Sequence, residues 1–231
     1  MGYLNEMNIV LTREAGKNNE ARSWFASDAN VLEVPLTTTN YFAIDEVTRQ
    51  LKATPDYGSY AVLVVTSPRT ADYIHAALGA VVERADLLTV GTRTTHALRD
   101  RGVEVSAEAS DTAMELDGVI SKGPVLFIGA KQMREELSDE LQRRQIPVTK
   151  VACYETLPVE LSEEQIAILS DADVVLIGAP TAWSVARDFV SKNTWVVVPG
   201  ATTKRVVAQD HARVIAGWGP SLADIVPNLQ Q

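Results

Sequence analysis

Residues 60–98 constrain the fold more than any other stretch of this chain. An apolar run, residues 61–65, breaks at Thr66-Ser67-Pro68-Arg69-Thr70, after which Ala71, Ile74, Ala77 and Leu78 share one face of a helical pattern. A second apolar run reaches Val90 and stops at Gly91-Thr92-Arg93-Thr94. A buried strand, a hydroxyl-bearing turn, a crossover helix and a second strand make a parallel β-α-β unit. Both strands end in small or hydroxylated residues where a helix begins. That geometry aims free backbone N–H groups, at the positive end of a helix dipole, at one place.

The same order recurs. Residues 173–177 are apolar after the first, Gly178-Ala179-Pro180-Thr181 breaks the run, and a helical pattern covers residues 182–190. Residues 195–198 are then a strand, closed by Pro199-Gly200-Ala201-Thr202-Thr203. Pro68 matches Pro180, Gly91 matches Gly200 and Thr94 matches Thr203. A duplicated strand–loop–helix–strand–G-x-x-T unit predicts two similar α/β lobes with an anion between them.

At 231 residues, each half is long enough for its own core. The net charge of −9 argues against general nucleic-acid binding, which needs a basic face. It leaves room for an anionic small molecule, because a few local donors outweigh a screened, distant charge. The single cysteine, Cys153, excludes an internal disulfide. No apolar stretch is long enough to span a bilayer and no signal peptide is apparent, so the expectation is a soluble, cytoplasmic protein without membrane contact.

Two extended connectors set the domain plan. The first, residues 36–42 (LTTTNYF), follows strands at residues 8–12 and 31–35; the second, residues 149–156 (TKVACYET), follows a strand at 125–128 that resembles the first strand of the chain. The pattern predicts a discontinuous lobe of residues 1–35 and 157–231, an inserted lobe of residues 43–148, and a two-stranded bridge of the connectors. Between these come an expected strand at 103–105, a helix at 112–120, another after Ala130-Lys131-Gln132 with Leu137 and Leu141 on one face, and a capped helix start at Ser162. The fold class is α/β: two similar flavodoxin-like lobes with parallel sheets, joined by a two-stranded connector.

Candidate site residues follow from strand ends, where open α/β sheets bind ligands. They are Arg13, Thr66, Ser67, Thr94, Lys131 and Thr203 as anion contacts, with Arg134 near Lys131 open to the same reading. Bland readings stand beside these: Arg13 as half of a surface ion pair, Ser67, Thr94 and Thr203 as helix caps, and Arg134 as part of a solvated helix surface. Cys153 and Tyr154 are neighbours on a strand and are expected to face opposite sides. His75, His96 and His211 lack metal-ligand spacing, and there is neither a G-x-G-x-x-G fingerprint nor a Walker loop, so no metal and no cofactor is expected.

TSPRTA at residues 66–71, the Gly91-x-x-Thr94-x-x-Ala97-Leu98 pattern, CYET at 153–156, Gly200-x-x-Thr203 and the opening IVLTRE occur here in the order seen in the uroporphyrinogen-III synthase family, which the chain resembles over nearly its whole length. The resemblance implies a cofactor-free lyase that inverts ring D of the linear tetrapyrrole hydroxymethylbilane, closes the macrocycle and releases water. It implies two α/β lobes with the active site between them, acting on an octacarboxylate substrate; a monomer is expected. Tyr154 matches the family's connector tyrosine, proposed to assist departure of the hydroxyl, and a phenol is protonated at neutral pH. Ser67, Thr94 and Thr203 match cleft-facing positions. Gly178-Ala179 stands where the family often has a hydroxyl residue before the proline, with Thr181 as the nearest substitute. A non-catalytic binding module for an anionic small molecule and a nucleotide-binding flavodoxin-like enzyme are the competing readings.

Overall fold

The computed structural model describes residues 7–110 and 112–229. The expected outer bounds of the first lobe, residues 1 and 231, lie outside the described residues. The strands are β1 (Ile9–Leu11), β2 (Val31–Glu33), β3 (Thr37–Tyr41), β4 (Val62–Val65), β5 (Asp86–Val90), β6 (Ala107–Ala109), β7 (Val125–Ala130), β8 (Val148–Pro158), β9 (Val174–Leu176), β10 (Trp195–Val198) and β11 (Val214–Ala216). They form a five-stranded sheet, β11-β10-β9-β1-β2, and a six-stranded sheet, β3-β8-β7-β4-β5-β6. The chain divides into two compact units, Met1–Thr39 with Leu157–Gln231, and Asn40–Thr156.

The five-stranded sheet is parallel throughout, with Val10 opposite Leu32 and Val175, and Val197 opposite Leu176 and Ile215. Helices cover both faces, so successive strand residues are buried on opposite sides. Val10, Val175, Val196 and Val198 pack with Trp183, Ala186 and Val207. Ile9, Leu11, Val174 and Val197 pack with Trp24, Phe25 and Leu222. The second sheet repeats the arrangement: Leu63, Val65, Leu126 and Ile128 meet Ile74, Leu78 and Leu98. On its other face Val62, Val64, Val125 and Phe127 meet Leu116, Leu137 and Leu141. Two-sided burial is why these strands read as unbroken apolar runs.

Numbered within its own unit, the first sheet has the order 2-1-3-4-5 of flavodoxin-like folds. The second unit has the same order once β7 and β8 are taken as its first two strands and β4, β5 and β6 as the next three. It is thus a circularly permuted copy. The chain leaves the first unit after strand 2 and enters the second at the equivalent of strand 3. That permutation accounts for the likeness of residues 125–128 to the first strand, and for the matched β4–β5 and β9–β10 segments. β3 adds to β8 antiparallel, since Phe42 N–H donates to Cys153 O at 2.9 Å and Val159 N–H to Leu36 O at 3.0 Å.

Several local expectations are corrected. Residues 103–105 are not a strand; Gly102, at φ +73°, ends the helix Thr92–Arg99, Val103 N–H turns back to Leu98 O, and the strand comes later as β6. The helix expected over 112–120 shrinks to a 3-10 turn, Ala113–Leu116. The helix after β7 starts only at Glu136, which leaves residues 131–135 as a loop at the strand end. Ser162 does cap its helix, accepting from Gln165 N–H at 3.2 Å while the Gln165 side chain accepts from Ser162 N–H at 3.0 Å. Among the described residues, no helix is long and apolar enough to cross a membrane.

Candidate active site

In both units the expected site residues fall at the carboxyl ends of parallel strands: Arg13, Thr181 and Thr203 after β1, β9 and β10, and Thr66, Thr94 and Lys131 after β4, β5 and β7. In each unit the strand order reverses between two of these ends, β1/β9 and β7/β4, which is where open α/β sheets form a crevice.

Tyr154 is placed by an irregularity. β7 and β8 pair Gly129 with Ala152 but Ala130 with Tyr154, so Cys153 is an extra residue in β8. The expected opposite-facing alternation therefore fails, and Cys153 and Tyr154 are both buried in one cluster. Burial pushes the Cys153 thiol up to about 12, which removes it as a nucleophile. The Tyr154 ring is only 5% exposed. The Arg69 guanidinium lies 5.7 Å from its centroid and the Tyr41 ring 6.1 Å away. A cation over an aromatic face is worth about 0.5–1 kcal/mol at an open site, enough to favour one ring position. The Tyr154 hydroxyl has no hydrogen-bond partner among the described residues, yet the one enclosed, unpartnered side-chain oxygen among them is Thr70 Oγ1. The Tyr154 oxygen is therefore unpaired and not fully enclosed.

Thr94 and Thr203 are not caps. Gly91 and Gly200 hold the cap positions, and each threonine stands in the first turn behind, largely buried. Gly91 needs its glycine, because φ is +81° there. The two hydroxyls have no partner among the described residues and are not enclosed. Ser67 does cap: its oxygen accepts from Arg69 N–H at 3.3 Å, fixing the start of the turn that carries Arg69. Thr66 is exposed beside it, and a side chain at Gly129 would come within 3.3 Å of Thr66 Oγ1, so the glycine keeps the ends of β4 and β7 close.

The expected cations differ in availability. Lys131 Nζ donates to Glu155 Oε2 at 2.9 Å, and Asn40 also donates to that carboxylate at 3.1 Å. The hydrogen bond from Lys131, then that from Asn40, holds the Glu155 carboxyl below its ordinary range. Arg13 pairs with Glu20 at 3.5 Å, and its backbone is gripped by the Asn18 side chain at 3.2 and 3.0 Å, which diverts Asn18 from capping the next helix. Thr181 is exposed in the first turn of the helix Pro180–Ala186.

A cavity of about 290 Å³ lies at the β7/β4 reversal, lined by Thr66, Thr112, Gln132 and Arg134 together with apolar side chains. Of the residues read as anion contacts, Thr66 and Arg134 reach it. Gln132, Arg69 and Tyr41 were not singled out as site residues, whereas Arg134 stood open between an anion contact and a solvated helix surface. Their signals were the loop after β7, the TSPRT turn and the aromatic pair of the first connector. No group of three or more His, Cys, Asp and Glu among the described residues is arranged to hold a metal ion.

Comparison with known proteins bears on this geometry. The family model of uroporphyrinogen-III synthase HemD matches residues 24–217. No curated relative matches the sequence. Among solved structures, the chain is similar to a mutant uroporphyrinogen III synthase from the extremely thermophilic bacterium Thermus thermophilus, with TM-score 0.65, 14% identity, and coverage of 97% of this chain and 99% of that one. It is similar to uroporphyrinogen-III synthetase from Helicobacter pylori, with TM-score 0.64, 16% identity and the same coverage. At such identities the structures speak for the fold, whereas the family model spans most of the chain. The chain belongs to the uroporphyrinogen-III synthase family, enzymes of tetrapyrrole biosynthesis.

Proposed function

We propose that this chain is a carbon–oxygen lyase that cyclises hydroxymethylbilane to uroporphyrinogen III, with inversion of ring D and loss of water, using neither metal nor coenzyme. The observation that carries the chemical step is the Tyr154 hydroxyl, unpaired and not fully enclosed, on a ring held among Arg69, Tyr41 and the core. Tyr154 donates a hydrogen bond or proton to the terminal hydroxyl of the bilane. The carbon–oxygen bond breaks, water leaves, and the pyrrole nitrogen lone pair stabilises the azafulvene cation that remains. Ring D attacks that cation through its substituted carbon to form a spiro centre. The bond from that carbon to the ring C bridge then breaks, leaving an azafulvene cation on ring C, which ring D attacks through its free α-carbon. Loss of the proton from that α-carbon gives the closed macrocycle with ring D inverted.

The bilane also closes unaided to the uninverted isomer, so choosing the product is a separate task from speeding the reaction. Choice is a matter of holding the chain with the substituted carbon nearest the cation. Thr66, Ser67, Thr94, Lys131, Arg13, Thr181 and Thr203 are the groups we assign to substrate binding in this scheme. The inserted lobe and its bridge belong to the same reading.

Tyr154→Phe tests the assignment, since it keeps the ring and removes the donor. General-acid assistance is worth about 10²–10⁴-fold, and an electron-rich pyrrole expels its leaving group readily, so the expected loss in kcat lies toward or below the low end of that range. Residual product remains mainly the inverted isomer. Full activity in Tyr154→Phe removes the residue from the chemistry; a switch to the uninverted isomer makes it a positioning group.

A further inference from the structure

The cavity at the β7/β4 reversal is built unlike the rest of the site. Its wall combines apolar side chains, Phe127 and Met133 among them, with the polar Thr66, Thr112, Gln132 and Arg134. Arg134 has no ion-pair or hydrogen-bond partner among the described residues, whereas Arg13 and Lys131, two other cations at strand ends, are held by Glu20 and Glu155, and Arg69 lies over the Tyr154 ring. In a chain of net charge −9, an unpaired guanidinium beside an open cavity is an unanswered positive charge. Guanidinium is also the cation best shaped for two parallel hydrogen bonds to a carboxylate.

Size limits the occupant. At about 290 Å³ the cavity sits at the low end of the roughly 300–1,000 Å³ of small-molecule pockets, so it holds one ring with its acid arms, not a whole tetrapyrrole. The apolar wall suits the ring and the arginine suits an arm. We infer that this cavity is a subsite for one carboxylate-bearing pyrrole of the substrate, and that Arg134 is the binding residue that fixes its carboxylate, with Thr66 as a supporting hydroxyl in the same wall. The inference rests on the bilane-cyclising reading above. It adds a specific address for one acid arm, apart from Tyr154.

Steady-state kinetics of Arg134→Met and Arg134→Lys on hydroxymethylbilane test it. Loss of a charge-assisted hydrogen bond predicts a KM raised roughly 10- to 100-fold in Arg134→Met, with kcat nearly unchanged and an unchanged melting temperature. Arg134→Lys recovers part of the loss, and the rise of KM with added salt is shallower in Arg134→Met than in the parent. A wild-type KM in Arg134→Met, or a fall in kcat at constant KM, overturns the subsite while leaving the reaction assignment standing. A parent protein that forms no inverted isomer instead overturns the reaction assignment on which the subsite rests.

Discussion

The two units use one sheet order and differ in what stands at the strand ends. In Met1–Thr39 with Leu157–Gln231, the ends of β1, β9 and β10 present Arg13, already paired with Glu20, and two threonines. In Asn40–Thr156 the ends of β4 and β7, with the irregular stretch of β8 beside β7, present Arg69, Tyr154 and a cavity that carries Arg134. The order of strands decides where a ligand can be met, which is why both units have candidate residues at the same topological place. Side chains then decide what happens there. On this account the inserted unit carries the chemistry and an acid-arm address, while the discontinuous unit offers neutral donors.

The shared plan depends on central strands buried from both sides, so it breaks first in the core. Leu126 is fully buried in β7, and Leu126→Ala is expected to cost about 2–5 kcal/mol of stability, read from the urea midpoint at constant slope. A cost under about 1 kcal/mol, well below that range, would mean that β7 is not the packed centre of its unit.

Thr94→Val and Thr203→Val sharpen the comparison, because they remove equivalent hydroxyls from the two units. A hydrogen bond to a charged group is worth about 1.5–3 kcal/mol and a neutral one about 0.5–1.5 kcal/mol, so each variant loses kcat/KM accordingly, with little loss of stability. If both lose stability while the folded fraction keeps full activity, the threonines serve only the helix starts.

Much of this plan is legible in the chain. The β4–β5 and β9–β10 repeats carry apolar runs long enough to identify, and hydroxyls or glycine mark their ends. The misreadings have local causes. Val103-Glu104-Val105 alternates like a strand, but Gly102 directs Val103 back onto the preceding helix. β6, Ala107-Glu108-Ala109, has no β-forming side chain and owes its place to pairing with Leu88–Val90. The extra residue at Cys153 is invisible to an alternation argument, because it exists only against β7. Arg134 and Thr66 lie far apart in sequence, and only the β7–β4 neighbourhood makes them walls of one cavity.

Smaller effects test the electrostatics. Glu155 is held below its ordinary value chiefly by Lys131, so its contribution to stability is present above the unfolded-state value and fades as pH falls through the lower folded value. In Lys131→Met the Glu155 titration, followed by carboxyl NMR shifts, moves upward; an unmoved titration denies the pair in solution. Smallest is an expected null. With its thiol pushed up to about 12 and its side chain enclosed, Cys153 should stay unlabelled by a disulfide reagent at mildly alkaline pH in the native protein and react once unfolded. Rapid native labelling would contradict the packing of β8.

The central claim is that this chain chooses the product of a reaction that also proceeds unaided. The direct measurement is isomer analysis after brief incubation of hydroxymethylbilane with protein that has been chelated and exhaustively dialysed. The account predicts the ring-D-inverted isomer, formed faster than the uninverted isomer appears in a protein-free control, with no gain on adding back a metal or a coenzyme. Product consisting only of the uninverted isomer at the control rate, or activity that returns only with an added metal or coenzyme, would contradict it.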